Sequence, residues 1–415
     1  MPSKRSSTRA RLVSLGVVLA VAAIAVAAGT ARANAHVASA SKTLVVDNTF
    51  QLKSSDPARS GEPTGEMIDK AIYETLLTFR GGNVSHPLPL LAKSYTVSKD
   101  ARTFTFKLDP RARFSDGARV TPADVVFSLK RVENIKQIAS AFLEGVTVSA
   151  KGPSTVVLKT ATPNPALPYI LPNSALGIVE AKVVRAHGGS DAANAATADK
   201  AEAYLNTHSA GSGPYILKSF DIASQVVLSR NPNYWGSKKP YFDTVVVRNQ
   251  TAPTQILNVQ RGSNEVALDL SPTQAATIHG KSVVVQRTAS ANFIYMFANL
   301  SSSISSVTSN PHFQAAVRYG IDYPGIVKLA GTGAVQAAGI IPSMFLGALP
   351  RTDAVKPDLA KAKAELAKSG ISNPTATLTF PSDVTLNGLS FATLAQKIQS
   401  DLARVGIKIN LDGAP

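Results

Sequence analysis

The amino-acid sequence predicts an α/β fold with more than one domain. The clearest evidence is an alternation of patterns near the C-terminus: helix 359–368, strand 375–380, helix 389–405 and strand 407–411. Such alternation is typical of a parallel sheet covered by helices. The length of 415 residues indicates two or three domains, at roughly 100 to 200 residues for each domain. A hydrophobic content of 44% with 17% charged residues is typical of a globular chain.

Residues 1–40 have the pattern of an export signal. A positive region comes first, with Lys4, Arg5, Arg9 and Arg11. An apolar run over 12–28 and several small-x-small sites follow. The run is close to the ~18 residues that can span a bilayer, so a retained anchor is an alternative to cleavage. The sequence has no cysteine, so a lipid-modified cysteine is excluded, and we expect an exported protein of the periplasm or outer envelope face that is not a lipoprotein.

The chain is basic, with a formal net charge of +16. Residues 1–40 hold five basic and no acidic residues, so the chain without them still carries +11. The lysines and arginines are scattered, and no nucleic-acid-binding module is recognisable. We therefore expect no nucleic-acid partner.

The stretch 211–236 organises the middle of the sequence. It opens with Gly-Ser-Gly-Pro-Tyr, which predicts a pivot in which glycine takes a positive φ. Two apolar runs, 216–220 and 225–228, predict a hairpin. A turn at 231–233 then presents Tyr234 and Trp235.

A second informative block lies upstream. Residues 103–108 alternate phenylalanine with threonine and lysine, as a half-buried strand does. After a turn at 116–117, Thr121 stands at a predicted N-cap, with Pro122 at N1 and Asp124 at N3. The sequence also predicts an earlier helix over 66–77. It predicts a helix and an exposed loop over 181–204, in which no functional motif is recognisable.

These motifs resemble those of one family, the extracytoplasmic solute-binding proteins of peptide, nickel and oligosaccharide ABC importers. The central stretch resembles the family's Gly-x-Gly-Pro-Tyr-x-Leu and Leu-x-Arg-Asn-Pro-x-Tyr-Trp signature. Residues 114–128, reading FSDGARVTPADVVFS, and 313–322, reading FQAAVRYGID, resemble two further family segments. The chain departs from the family at Asp109, where arginine is usual, and at Arg111, where glycine is usual.

The resemblance implies a periplasmic-binding-protein-like (type II) fold of two lobes with an extra N-terminal subdomain. Lobe I is then expected to comprise 41–62 and 175–290, with 63–174 as the inserted subdomain and 291–415 as lobe II. Family members continue for on the order of a hundred residues. We therefore expect lobe II to be incomplete, strand 407–411 to be an exposed edge, and binding to be weak.

The resemblance also supplies candidate ligand-binding residues. Phe127 is expected to face the cleft between the lobes, and the loop at Phe50 and Gln51 to form its rim. A strand over 292–299, whose alternation places Phe293, Tyr295 and Phe297 on one face, is expected to cross between the lobes. It adds three candidates: Tyr295, Phe297 and Asn299. Glu74, an isolated acid on a helix, is interpreted as a solvated or capping residue.

Motifs for catalysis are missing from the sequence. It has no Gly-x-Ser-x-Gly, no complete phosphate-binding loop and no His-Glu-x-x-His, and its six histidines lack metal-ligand spacing. We therefore expect no enzyme, no cofactor and no metal. The expected partners are a peptide or similar small solute and the subunits of an ABC permease, with the chain itself a monomer. An exported hydrolase and a non-transport envelope receptor or chaperone remain as alternatives.

Overall fold

The computed structural model describes residues 42–262, 265–268, 270–280, 282–287, 293–345, 347–386 and 388–414. The predicted export signal lies outside these residues. The strands are β1 (Thr43–Asn48), β2 (Leu77–Arg80), β3 (Asn83–Pro89), β4 (Ala92–Val97), β5 (Thr103–Leu108), β6 (Val146–Lys151), β7 (Thr155–Thr160), β8 (Tyr215–Asp221), β9 (Gln225–Arg230), β10 (Thr244–Asn249), β11 (Glu265–Ala267), β12 (Thr375–Pro381), β13 (Thr385–Leu386), β14 (Leu389–Ser390) and β15 (Lys408–Ala414).

The α-helices are α1 (Pro63–Ile72), α2 (Pro122–Ile135), α3 (Leu167–Ile170), α4 (Ala181–Ala186), α5 (Ala195–Ala198), α6 (Glu202–Leu205), α7 (Ala252–Arg261), α8 (Pro272–Ala276), α9 (Pro311–Gly320), α10 (Tyr323–Ala330), α11 (Leu359–Lys368) and α12 (Phe391–Ala403). Short 3₁₀ turns lie at Ile138–Leu143, Ser174–Leu176 and Arg351–Asp353.

A five-stranded sheet forms the first part of the fold, in the order β11-β1-β10-β9-β8. Strand β1 lies between β10 and β11 and runs parallel to both. Strands β8 and β9 form the antiparallel hairpin that the sequence predicts. Because β1, β10 and β11 run in the same direction, their carboxyl ends meet at one edge of the sheet.

A four-stranded antiparallel sheet, ordered β4-β5-β7-β6, forms a second part. The phenylalanines of β5 are fully buried against α2 and its surroundings, as their alternation predicts. Helix α2 begins with the predicted capping box. The Asp124 carboxylate accepts the backbone N–H of Thr121 at 2.9 Å, and the Asp124 N–H reaches the Thr121 hydroxyl at 3.4 Å.

Helix α1 is shorter than predicted. It begins at Pro63, ends at Ile72, and is followed by Tyr73 in extended conformation. Leu76 and Leu77, whose apolar side chains extended the predicted helix to residue 77, do not belong to it. They enter a different hydrophobic core at the start of β2.

The glycines of the central stretch serve a different purpose from the one predicted. Gly211 and Gly213 are not among the described residues with positive φ. They are needed because the backbone passes against the end of α1: a Cβ on Gly211 would lie 2.1 Å from the Ile72 carbonyl oxygen, and one on Gly213 would lie 2.5 Å from that of Ala71. The glycine requirement therefore comes from close packing of two backbones.

The last part of the described chain has the predicted alternation. Helix α11, strand β12, helix α12 and strand β15 come in the predicted order, with the short strands β13 and β14 between β12 and α12, and β12 pairs with β15 in parallel. Their apolar faces share a core with α9. Among the described residues, hydrophobic side chains thus gather in three cores, while the predicted domain boundaries stay a prediction.

A buried ionic cluster fixes the segment 54–60 to α2. The Arg131 guanidinium, 1% exposed, donates to both carboxylate oxygens of Asp56 at 2.7 and 2.5 Å and to both of Asp199 at 2.7 and 2.9 Å. Arg59 adds an ion pair with Asp199 at 3.2 Å. Asp199 lies in the segment 181–204, so this segment holds part of a buried structural ion cluster that the sequence did not predict.

Candidate functional site

The carboxyl ends of the parallel strands β1, β10 and β11 form the most promising edge for a ligand. In open α/β sheets, ligands bind in the crevice just beyond these ends. Here the chain leaves β1 at Asn48 and β10 at Asn249, and the Gln250 N–H donates to the Asn48 carbonyl at 2.9 Å. The two loops are thereby held side by side.

Phe50 and Gln51 lie in this position, directly after β1. The backbone N–H of Phe50 donates to Asn249 Oδ1 at 3.1 Å, while its half-buried ring packs against the core beneath the five-stranded sheet. The backbone N–H of Gln51 donates to Thr64 Oγ1 at 3.1 Å. Both backbones are fixed, so the loop has a defined shape at the strand ends.

The hairpin β13–β14 meets the same edge from the last part of the chain. The Gln51 side-chain amide donates to the Thr385 carbonyl at 3.4 Å. At the hairpin turn, Gly388 has φ +79°, and a Cβ there would lie 2.3 Å from that of Ser271, the N-cap of α8. The hairpin therefore touches the first part of the fold at two places, with Gln51 at one of them.

Tyr295, Phe297 and Asn299 lie on a segment that is not a strand. Residues 293–299 have no strand hydrogen bonding, so the strand prediction is wrong for them, and Asn292 lies outside the described residues. The predicted alternation is nevertheless present, because the Phe293 and Tyr295 rings stack at 5.8 Å and the Tyr295 and Phe297 rings are 6.1 Å apart.

The side chains of this segment differ in their availability. Tyr295 is 64% exposed and Phe297 82% exposed. The Asn299 side-chain oxygen accepts the Ser301 N–H at 2.9 Å, so this residue closes a local turn. Aromatic surface is therefore open to solvent at Tyr295 and Phe297.

Phe127 does not face open space in this structure. It is 1% exposed, packs in the core with residues such as Ile72 and Leu217, and lies beneath the Arg185 guanidinium at 4.4 Å. The expectation that it faces a cleft is wrong here, because its position on α2 points into the core between the helix and the five-stranded sheet.

Glu74 lies in an environment that differs from the predicted one. It is 4% exposed. It accepts hydrogen bonds from the Trp235 indole N–H at 2.6 Å, the Ser212 hydroxyl at 2.9 Å and the Tyr234 hydroxyl at 3.2 Å. Burial raises the pKa of Glu74 from 4.5 to about 7, although these three hydrogen bonds lower it. Glu74 is thus neither solvated nor a cap.

The signal that could have identified this cluster was present in the sequence. The stretch 211–236 supplies three donors, and Ile72 and Leu76, two residues to either side of Glu74, are of types that are usually buried. A shallow pocket of about 180 Å³ opens beside Glu74 and Tyr234, with Lys70 and Ser174 also in its wall.

The described residues contain no group of three or more histidine, aspartate or glutamate side chains placed to hold a metal ion. Within the same part of the chain, every helix is too short or too polar to cross a membrane.

Comparison with known families identifies the chain. Residues 86–415, more than half of the sequence, match the family described as bacterial extracellular solute-binding proteins, family 5. The chain belongs to this family. Family 5 proteins are non-enzymatic transport components, and this chain is accordingly a solute-binding component of an ABC importer for peptides or similar solutes.

Individual relatives agree with this assignment. The chain is 29% identical over 387 residues to the probable D,D-dipeptide-binding periplasmic protein DdpA of Escherichia coli K12, covering 91% of this chain and 71% of the relative. It superposes on the pheromone receptor PrgZ with a TM-score of 0.73 and 20% identity, covering 90% and 77% of the two chains. It also superposes on DppA of Helicobacter pylori with a TM-score of 0.70 and 21% identity, covering 90% and 73%. The predicted family and fold class are confirmed.

Proposed function

We propose that this chain captures a peptide at the edge formed by the carboxyl ends of β1, β10 and β11, and delivers it to the permease of an ABC importer. The observation that carries the proposal is the hydrogen bond from the Gln51 amide to the Thr385 carbonyl. Gln51 lies where the first and last parts of the fold meet. Its side-chain amide donates there to a backbone carbonyl, and a carbonyl of a bound peptide can take the place of that acceptor.

The exposed surfaces and the relatives support a peptide as the solute. Tyr295 and Phe297 offer exposed aromatic area, and Phe50 a half-buried ring near the strand ends. Sites for small ligands combine such apolar area with a few fixed polar groups. The relatives include a probable D,D-dipeptide-binding protein and a protein solved with the peptide STSA.

Calorimetric titration of the chain with di- to pentapeptides, nickel chelates and oligosaccharides tests the proposal. We expect heat from peptides alone. Gln51→Ala should weaken peptide binding by about two- to twelvefold, since one hydrogen bond contributes about 0.5 to 1.5 kcal/mol. The exposed Gln137→Ala, far from the strand ends in sequence, is the matched control.

The aromatic side chains are tested in the same titration. Tyr295→Ala and Phe297→Ala should each weaken binding by at least fivefold, because each removes apolar area that a solute would cover. Tyr169→Ala, which removes a ring of similar exposure (49%) elsewhere, should leave the affinity unchanged. Equal losses in Tyr169→Ala and Tyr295→Ala, or heat only from a non-peptide class, would refute this assignment.

We also propose that residues 1–40 direct export and that the chain acts as a monomer. The DdpA relative is named periplasmic, which supports an extracytoplasmic location. Expression with and without residues 1–40, followed by fractionation, tests the export signal. Retention of the intact chain in the cytosol would contradict it.

A further inference from the structure

The four-stranded sheet β4-β5-β7-β6 has two faces of opposite character. Its inner face is aromatic and aliphatic: Phe104 and Phe106 are fully buried, and Tyr95 stacks on Phe106 at 5.8 Å. Its outer face carries only serine, threonine and lysine with Val157. This sheet contributes none of the proposed peptide-binding residues.

Three lysines dominate the outer face. Lys107 and Lys151 both lie opposite Thr155 on the central strand β7, so they stand in one cross-strand row, about 10 Å apart at the usual strand spacing. Lys159 follows four residues along β7, roughly 13 Å away from that row. All three side chains are exposed.

The positive charge of this face is uncompensated. The four strands contain no aspartate or glutamate, and the acids that flank them in sequence, Asp100, Asp109 and Glu144, lie beyond the strand ends. Each of the three lysines is without a salt bridge to any described residue. Lys151 and Lys159, but not Lys107, line a groove of about 430 Å³, together with Thr103, Thr105, Ser149, Ala150 and Val157.

We propose that this outer face, the lysine face, docks on the anionic phospholipid headgroups of a membrane surface. Lysine is a compact, strongly hydrated point charge, and lysines near an anionic leaflet are attracted by about 1 kcal/mol each. The threonine and serine hydroxyls that lie between these lysines can donate hydrogen bonds to phosphate oxygens. The net charge of +11 outside residues 1–40 adds a long-range attraction of the same sign.

The composition of the face favours lipid over other anionic partners. Centres of protein–protein interfaces are enriched in aromatic residues and arginine and depleted in lysine. Sites for single-stranded nucleic acid use aromatic rings as stacking platforms. The outer face has neither aromatic residues nor arginine, which suits a fluid surface of phosphate groups.

Vesicle sedimentation with the full chain tests the proposal. Wild type should bind phosphatidylglycerol vesicles more than phosphatidylcholine vesicles at low salt. The triple variant Lys107→Gln, Lys151→Gln, Lys159→Gln should lower the charge-dependent part of the partition coefficient by about a hundredfold, at roughly fivefold for each lysine. The matched control is Lys218→Gln, Lys238→Gln, Lys356→Gln, which removes three exposed, unpaired lysines elsewhere in the described chain.

Lysine acetylation with and without vesicles, measured by mass spectrometry, shows which face of the protein contacts the membrane. This readout does not depend on whether residues 1–40 also bind vesicles. Vesicles should protect Lys107, Lys151 and Lys159 from acetylation while leaving Lys218, Lys238 and Lys356 reactive. Equal losses in both triple variants, or absence of protection at the three lysines, would overturn the proposal. Equally strong protection by soluble polyphosphate would also overturn it, in favour of a free polyanion.

Discussion

Glu74 shows how one side chain fastens two distant segments. It follows α1, while its three donors, Ser212, Tyr234 and Trp235, come from a stretch more than 130 residues later. The indole N–H can only donate, and at 2.6 Å its bond to the carboxylate is short. The cluster therefore favours an ionised acid, while burial favours a neutral one, and the pKa of about 7 reflects that competition.

The stability of the chain should therefore depend on pH through Glu74. The folded chain keeps a proton on Glu74 up to about pH 7, whereas the unfolded chain releases it near 4.5. Between these values the folded state binds more protons, so the free energy of unfolding should fall by about 3 kcal/mol as pH rises from 4.5 to 7. Glu74→Gln should remove this contribution, measured by urea unfolding at several pH values.

The difference between wild type and Glu74→Gln isolates this carboxyl. Burial also raises the pKa of Glu180 to about 7 and that of Asp69, but these contributions are common to both proteins and cancel. Parallel pH profiles for the two proteins would show that Glu74 titrates normally.

Gly211 provides a second prediction at the scale of one residue. Gly211→Ala should destabilise the fold by about 3 kcal/mol, since its Cβ would overlap the Ile72 carbonyl oxygen, which belongs to the backbone and cannot rotate away. Gly61→Ala is the matched control: its Cβ would meet only Ile138 at 3.8 Å, and we expect a change within about 1 kcal/mol. Thermal unfolding distinguishes the two, and similar melting temperatures would contradict the packing argument.

These residues show what local sequence can predict. The Thr121–Asp124 capping box was predictable because its partners are three residues apart, and each residue type implies the bond. The partners of Glu74 and Asp199 could not be predicted, because the fold alone brings them together over 138 and 68 residues respectively.

Among the larger elements, α2 depends on the ionic cluster that binds it to the segment 54–60. Arg131 neutralises two carboxylates whose side chains are fully buried, and Arg59 only partly shares that task. Removing Arg131 leaves buried negative charges facing each other in an environment that water does not reach.

Arg131→Met should therefore destabilise the chain by about 3 to 5 kcal/mol, the usual result when one partner of a buried ion pair is lost. Arg230→Met is the control, since its ion pair with Asp243 is 38% and 42% exposed and pairs of that kind contribute about 0 to 1 kcal/mol. Urea unfolding measures both. A loss of stability no larger than that of the control would show that α2 does not depend on the cluster.

The boundaries of helices and strands could be predicted where the apolar spacing and the capping or turn residues indicated the same end point. They could be predicted less well where only one of these signals was present. Strand β12 and helix α11 follow their patterns closely. The aromatic alternation at 293–299 correctly predicted which rings share a face, yet not a strand, because a strand also needs a partner backbone that the pattern does not reveal.

For the whole molecule, the proposed binding edge lies where the first and last parts of the fold touch through Gln51, and we expect a bound solute to change their relative position. A ligand shifts the population of states only if it binds them differently, and domain closure around a ligand is a common outcome of such differential binding. A peptide that replaces the Gln51–Thr385 bond would contact both parts at once.

We therefore expect peptide binding to alter the distance between Lys218 and Lys356, which lie on the first and last parts of the fold. The sequence lacks cysteine, so a chain with Lys218→Cys and Lys356→Cys can be labelled with a dye pair at those positions alone. Energy transfer should change with added peptide, with a midpoint equal to the calorimetric Kd. A chain with Lys218→Cys and Lys238→Cys, both near the five-stranded sheet, should show no change. If peptide produces calorimetric heat while both labelled chains keep constant transfer, the two parts do not move relative to each other, and the solute binds to a rigid edge.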